Sequence, residues 1–296
     1  MRILTTFVRS CCMVLGVTAA DDAFGRESVD GRFDVGGRAV RLQCRGTGTP
    51  VVVIDAGMGT APVEDAGWGT IADQVAQVTR VCLHDRAGLG TSDPAPPGTR
   101  SSADAASDLH AALSAARVSG PFLLVGHSVG GLHAQVFAAR YPADTAGLVL
   151  VSTTHPDQFT TWLGILPRPA PGEDKVVSDA RAFIVTMQND PTKNEERLDM
   201  RESALQAHQL NSLGAKPLIV LTHSPRFRMV PGLAEPMAAR LENATQSMQR
   251  GYLKLSTNSR QLVAERAGHG LPHEAPSFVV DGILRGVTAV RKQRRR

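Results

Sequence analysis

A serine framed by glycines is the most reactive feature of the sequence. Ser128 lies in the segment GHSVGG, residues 126–131, which follows the apolar run 122–125 and precedes a helical pattern. A strand that turns sharply into a helix leaves little room for side chains around the turn, which explains the flanking glycines. The turn also lifts the hydroxyl above the edge of the sheet, where the start of the helix can stabilise negative charge. The pattern therefore predicts that Ser128 is a nucleophile.

A histidine near the end of the chain is the predicted base for this serine. A serine hydroxyl becomes a good nucleophile only when a base removes its proton. His269 lies in the segment RAGHG, residues 266–270, after the last apolar run and before the final helical pattern. A loop in that position reaches the same sheet edge as Ser128. We therefore expect His269 to accept the serine proton, and we expect His155 and His223 to lie at the rim or in an insertion.

Two backbone N–H groups are the candidates for binding negative charge on the substrate. Attack on a carbonyl creates an oxyanion, which needs donors aimed at it. Val129 directly follows the nucleophile and supplies the first N–H group. Met58 lies in the segment AGMG, residues 56–59, after another apolar run, and the glycines there permit close approach. We expect the Met58 and Val129 N–H groups to form the oxyanion hole.

Short apolar runs that alternate with helical patterns must position these residues. A glycine pair at residues 36–37 predicts an opening hairpin, and the later runs read as parallel strands covered on both faces. Residues 153–216 contain no clear strand and include polar helical sequence such as 194–210, so we expect a cap insertion over about 155–212. The later apolar runs are residues 51–55, 80–84, 122–125, 148–151, 217–221 and 261–264, and the other helical patterns are residues 71–78, 104–116, 129–140 and 277–290.

Four motifs together give the chain a family resemblance. They are DAGMG at residues 55–59, DRAGLGTS at 85–92, GHSVGG at 126–131 and AGH at 267–269. With them the chain resembles bacterial α/β-hydrolase-fold proteins from about residue 28 to residue 290. The resemblance implies an α/β fold with a mostly parallel eight-stranded sheet, in which the second and fourth strands are neighbours.

That strand order also bears on the two cysteines of the body. Cys44 and Cys82 would lie on adjacent strands. Neither has the Cys-x-x-Cys or histidine spacing of a zinc site, so we expect two buried, reduced thiols. A disulfide is the alternative if the protein is exported.

The acid of a catalytic triad is where the sequence departs from the family. The carboxylate usually follows the strand that here is 217–221, but the next residues are THSP. Some relatives use an aspartate at the end of the preceding core strand, where this chain has Ser152. Asp157 is the nearest carboxylate and is the candidate acid. Ser152 as a neutral partner of the histidine, or no third member at all, are the alternatives.

Composition and the two termini limit the remaining possibilities. With 42% hydrophobic and 20% charged residues, the chain is expected to fold around a substantial core. The net charge is +4, and residues 291–296 alone hold five cations, which we interpret as a solvated basic tail. We expect no nucleic-acid binding, and membrane contact only through the termini. Residues 1–25 are interpreted as a signal peptide or weak anchor, which favours an exported or envelope-associated protein over a cytoplasmic one.

These residues predict a serine hydrolase. We expect residues 26–290 to hydrolyse a small ester or lactone through an acyl-enzyme on Ser128, with His269 as base and without a metal or organic cofactor. A serine at this position argues against the dehalogenation chemistry of an aspartate nucleophile, although lyase or peroxidase reactions stay open because a fold does not fix a reaction. The alternative is a catalytically impaired ligand-binding protein that lacks the triad acid.

Overall fold

An eight-stranded sheet forms the centre of the protein. The computed structural model describes residues 28–295, and the leader predicted for residues 1–25 lies outside them. The strands follow one another across the sheet in the order β1-β2-β4-β3-β5-β6-β7-β8. They are β1 (Asp30–Asp34), β2 (Ala39–Arg45), β3 (Val51–Asp55), β4 (Val81–Asp85), β5 (Phe122–His127), β6 (Thr145–Val151), β7 (Leu218–Thr222) and β8 (Ser259–Val263).

The direction of the strands agrees with their sequence patterns. The pairs β1–β2 and β2–β4 are antiparallel, whereas all later pairs are parallel. Strands β3, β4, β6 and β7 are buried at every residue, as expected for parallel strands with helices on both faces. In the opening hairpin, Gly36 and Gly37 have φ angles of 101° and 83°, which favour glycine. The prediction of a mostly parallel eight-stranded sheet is confirmed.

Helices cover both faces of the sheet. On one face α2 (Ser102–Ala115) and α3 (Gly130–Arg140) bury Leu109, Leu113 and Phe137 in the larger apolar core. On the other face α1 (Ala66–Ala76) and α9 (Pro276–Arg294) bury the side chains of a second core, such as Trp68 and Ile283. Within residues 28–295, no helix combines the length and apolarity needed to span a membrane.

The C-terminal helix is longer than its sequence pattern predicts. The pattern ends at residue 290, and the residues beyond it were expected to form a solvated tail. Instead α9 continues to Arg294. Arg291 is held in place because its Nε donates to the carbonyl of Thr49 at 2.8 Å and its Nη2 donates to the carbonyl of Val78 at 2.9 Å. The first basic residue of the predicted tail therefore helps to fix α9 to the loops that precede β3 and β4.

The long segment between β6 and β7 is helical. It contains α4 (Gln158–Ile165), α5 (Lys175–Asn189) and α6 (Met200–Ala207), and α7 (Glu235–Gly251) follows β7 before the short α8 (Leu271–Glu274). Helices α4, α5 and α7 share a separate apolar cluster that includes Trp162, Ile184 and Leu241. The polar helical sequence 194–210 is a helix only over α6. This cluster gives the segment packing of its own beside the main sheet.

A disulfide joins β2 to β4. Cys44 lies directly opposite Cys82 in the antiparallel register of these strands, and their sulfur atoms are bonded. Both side chains are buried. The expectation of two reduced thiols was therefore wrong, because the pairing register puts the two sulfur atoms face to face.

Removing this disulfide should lower the stability of the fold. The bond closes a loop over a sequence separation of 38 residues, and the loss of that constraint on the unfolded chain corresponds to about 4 kcal/mol. We expect urea unfolding of the variant Cys44→Ala/Cys82→Ala to give a free energy of unfolding about 4 kcal/mol below that of the wild type. The oxidised wild-type protein, which keeps the bond, is the reference. The wild-type protein reduced in urea and refolded without oxidation is the second control. A loss below about 1 kcal/mol would show that the bond adds little.

Candidate active site

The turn between β5 and α3 holds Ser128 in a conformation that few side chains adopt. Its φ angle is 52°, and a non-glycine residue in this left-handed region carries a cost of about 1–3 kcal/mol. The neighbouring glycines are required by space. A Cβ atom on Gly126 would lie 2.5 Å from the carbonyl oxygen of Gly130, and one on Gly130 would lie 2.2 Å from the carbonyl oxygen of Asp55. The turn thus forms only with small residues on both sides of the serine.

His269 reaches this serine from the loop between β8 and α8. Its Nε2 atom lies 3.0 Å from Oγ of Ser128, which is a normal hydrogen-bond distance. The loop is fixed to the turn because His127 Nε2 donates to the carbonyl of His269 at 3.0 Å. It is also fixed internally, since Gly268 N–H donates to the carboxylate of Glu274 at 2.6 Å. The structure therefore brings together the predicted nucleophile and the predicted base.

Ser152, and not Asp157, contacts the other nitrogen of this imidazole. Ser152 directly follows β6, and its Oγ lies 2.9 Å from Nδ1 of His269. The side chain of Asp157 is 55% exposed, and its Oδ1 lies 2.9 Å from Nε2 of His208. The expectation that Asp157 serves as the acid is therefore corrected: the chain turns into α4 after β6 and carries this carboxylate to the surface. The observed contact is the alternative in which Ser152 is the neutral partner of His269.

Two further side chains, His223 and Glu242, extend the series of hydrogen-bond contacts beyond Ser152. The same Oγ lies 2.7 Å from Nδ1 of His223, and Nε2 of His223 lies 3.0 Å from Oε1 of Glu242. His223 directly follows β7, and Glu242 lies on α7. All three side chains are buried. His223 was expected at the rim or in the insertion, and nothing in the sequence singled out Glu242, which is 19 residues further along the chain.

The surroundings of His269 keep its imidazole neutral. Burial, together with the smaller effect of the nearby rings of His127 and His223, lowers the pKa of His269 to about 3. Part of the side chain still reaches solvent, since the residue is only partly buried. A neutral imidazole at neutral pH is the form that can accept a proton from Ser128.

The loop after β3 lies beside the serine. A Cβ atom on Gly57 would lie 3.4 Å from Cβ of Ser128. Arg86 donates from Nη2 to the carbonyl of Gly57 at 2.8 Å and from Nη1 to the carbonyl of Ala56 at 2.9 Å. Because the C=O and N–H of one peptide unit point in opposite directions, the N–H group of Met58 is directed away from Arg86. Among residues 28–295, no acceptor takes this N–H group or that of Val129.

Two carboxylates hold Arg86 in that position. Glu196 accepts from Nε and from Nη2, both at 2.7 Å, and Asp55 accepts from Nη1. Burial raises the pKa of Asp55 to about 6, whereas Arg86 outweighs burial at Glu196 and lowers its pKa to about 2. Glu196 also accepts from the N–H of Gly59 at 2.9 Å. A residue of the insertion after β6 therefore fixes both Arg86 and the loop after β3.

The described residues offer no preformed metal site. Over residues 28–295, no group of three or more histidine, cysteine, aspartate or glutamate side chains is arranged to hold a metal ion.

A family model and several known sequences match this chain. The family model described as alpha/beta hydrolase fold matches residues 49–183. Uncharacterized protein YqjL of Bacillus subtilis is 27% identical over 250 residues, covering 83% of this chain and 87% of that protein. Uncharacterized protein C23C11.06c of Schizosaccharomyces pombe is 47% identical over 74 residues, or 25% of this chain. The match spans only 14% of the length of the Schizosaccharomyces pombe protein.

Solved structures with different activities share the architecture. A haloalkane dehalogenase variant from Bradyrhizobium elkanii superimposes with a TM-score of 0.62 and 16% identity, covering 90% of this chain and 98% of that one. A thermophilic esterase from Thermogutta terrifontis gives a TM-score of 0.57 and 20% identity, covering 90% and 99%. At such identities the likeness shows the fold alone. The reaction must therefore be argued from the site.

Proposed function

We propose that this chain, which matches the alpha/beta hydrolase fold family model over residues 49–183, is a serine hydrolase that cleaves a small ester or lactone. The observation that carries the proposal is the 3.0 Å contact between Oγ of Ser128 and Nε2 of His269. This distance is within the reach that a general base needs. The left-handed backbone of Ser128 adds support, because such strain is concentrated at functional sites.

In the first half of the reaction, Ser128 becomes acylated. His269 Nε2 takes the hydroxyl proton while Oγ forms a bond to the carbonyl carbon of the substrate. The carbonyl oxygen becomes an oxyanion, which the N–H groups of Met58 and Val129 stabilise. His269 then gives the proton to the leaving alcohol oxygen as the C–O bond breaks. In a lactone, that alcohol stays attached to the acyl group.

In the second half, water releases the acid. His269 removes a proton from the water molecule while its oxygen attacks the acyl carbon, and a second oxyanion forms between the same N–H groups. When the bond to Ser128 breaks, the serine oxygen recovers its proton from His269. The steps need only acid–base and hydrogen-bonding groups of the chain, which is why the proposal includes no cofactor.

We also propose that the protein acts outside the cytoplasm. The bond between Cys44 and Cys82 supports this, because disulfides form and persist mainly in oxidising compartments.

Covalent labelling tests the proposed reaction. A fluorophosphonate probe should react with the wild-type protein and add one label at Ser128, as measured by intact mass and peptide mapping. The variants Ser128→Ala and His269→Asn should stay unlabelled. Ser107→Ala, which changes an exposed serine on α2, is the matched control and should label like the wild type. A folded wild-type protein that takes no label would overturn the proposal.

One observation favours a second candidate, a ligand-binding protein without turnover. The base contacts Ser152 where a triad normally has a carboxylate, and loss of that acid costs about 10⁴ in turnover in a serine protease. A labelled protein that turns over a panel of short-chain esters and lactones would exclude this candidate. A folded, unlabelled protein that still binds such compounds would establish it.

A further inference from the structure

Three buried side chains form a hydrogen-bonded chain behind the imidazole of His269. We propose that Ser152, His223 and Glu242 together replace the carboxylate of a catalytic triad, with Glu242 as an acid that acts through two intervening side chains. The inference rests on the proposed function, because it assigns positioning residues to that reaction. The three consecutive contacts, at 2.9, 2.7 and 3.0 Å, carry it.

Each hydrogen bond in the chain fixes the direction of the next. To accept the serine proton at Nε2, His269 must carry its own proton on Nδ1 and donate it to Oγ of Ser152. The single hydroxyl proton of Ser152 is then left to donate to Nδ1 of His223. His223 must therefore carry its proton on Nε2, from which it donates to Glu242. An ionised carboxylate only accepts hydrogen bonds, so the chain has a natural end there.

The surroundings of Glu242 agree with this direction. Gln246, one turn further along α7, donates from Nε2 to Oε1 of Glu242 at 2.7 Å and to the carbonyl of His223 at 3.0 Å. Both of these acceptors need an N–H donor, which sets the orientation of the amide. Oε1 of Glu242 thus accepts two hydrogen bonds, as a carboxylate oxygen can.

The burial of this carboxylate calls for an explanation. Glu242 is 2% exposed, and within residues 28–295 the basic side chain that contacts it is the neutral His223, not a lysine or arginine, while its Oε2 atom has no hydrogen-bond partner. A buried charge is costly unless it is paired and hydrogen-bonded. At the other end, Ser152 has a φ angle of 40°, a further unfavourable conformation. Both costs are understandable if this hydrogen-bonded chain of side chains orients and stabilises the imidazole of His269.

The chain can serve His269 in two ways. It fixes the imidazole tautomer with the proton on Nδ1, which leaves Nε2 free to act as the base. It also places a row of aligned dipoles, ending in a negative charge, behind the imidazolium that forms when the serine proton arrives. Inside a protein such dipoles are poorly screened. The Nδ1 proton stays on His269 throughout, as it does in a direct triad.

Substitution of the terminal acid is the first test. We expect Glu242→Gln to lower kcat about 10–100-fold, less than the loss of a directly bound acid, with KM changed by less than about threefold. Glu235→Gln is the matched control, because it makes the same change on the same helix at an exposed side chain paired with Arg228. It should leave kcat unchanged. Equal kcat values for Glu242→Gln and the wild type would overturn the proposed role of the hydrogen-bonded chain while leaving the proposed function intact.

A rescue variant separates the catalytic role from a structural one. Ser152→Asp would put a carboxylate directly beside Nδ1 of His269, and aspartate tolerates the left-handed backbone better than most residues. In this background, adding Glu242→Gln should change kcat by less than about threefold. If Glu242 merely supports the packing of α7, its substitution should cost the same in both backgrounds. That additive result would contradict the proposal.

The tautomers give a readout in the unmutated protein, which stays informative if the aspartate variant does not fold. In ¹⁵N spectra of labelled histidines at pH 7, we expect the proton of His269 on Nδ1 and that of His223 on Nε2. The opposite tautomer of His223 would break the chain and overturn the proposal. An unlabelled, inactive wild type would instead reject the proposed function itself.

Discussion

Replacing Ser128 with glycine is expected to abolish turnover and yet yield a more stable protein than replacing it with alanine. Both variants lack the proposed nucleophile, so kcat should fall by about 10⁵–10⁶-fold. The two variants differ in the free-energy cost of the backbone conformation at position 128, because a φ angle of 52° suits glycine but not alanine. We expect the glycine variant to be the more stable of the two by about 1 kcal/mol. Ester hydrolysis and urea unfolding measure the two effects.

The two variants control for each other, since neither has the hydroxyl group. Residual turnover in both, at more than about a hundredth of the wild-type rate, would show that another group is the nucleophile. An alanine variant more stable than the glycine variant would contradict the strained turn.

Replacing Arg86 with methionine should be the most destabilising change near the site. It leaves the buried carboxylates of Asp55 and Glu196 without their shared cation, and breaking a buried ion pair from one side costs about 3–5 kcal/mol. Turnover should also fall, because the carbonyl groups of the loop after β3 lose their donor. Urea unfolding and ester hydrolysis are the measurements.

The loss of stability should depend on pH with a definite sign. Without the arginine, burial raises the pKa of both carboxyl groups in the folded state, so protonation relieves the cost. The stability gap to the wild type should therefore be larger at pH 8 than at pH 5. Arg45→Met, which removes a partly exposed arginine paired with Asp73, should cost about 1 kcal/mol or less. A gap that widens toward pH 5 would refute this account.

The parts of the site that the sequence predicted are those set by local structure. The turn around Ser128 needs small residues within three positions of the serine, so its requirement is visible in one short segment. His269 lies in the loop that follows the last strand. Residues at the ends of parallel strands meet at one sheet edge, so chain order and strand pattern suffice to bring the two together.

Glu242 could not be predicted because the packing of α7 decides its position. This helix buries polar residues, among them Thr245, Gln246 and Gln249, so its sequence lacks the apolar stripe that marks a packed helix. Asp157 was chosen because it is close in sequence, yet α4 carries it to the surface. The disulfide shows a similar limit, since strand order makes Cys44 and Cys82 neighbours without deciding their oxidation.

The spacing of Ser128 and His269 along the chain has a consequence for the newly made protein. They are 141 residues apart, and a ribosome that adds about 5–20 residues per second needs about 7–28 s to pass from one to the other. During that interval the serine turn can be made, but the proposed base, His269, has not yet been synthesised. Nascent chains therefore carry Ser128 without its proposed base, and the proposed reaction can begin only once synthesis has passed the final strand.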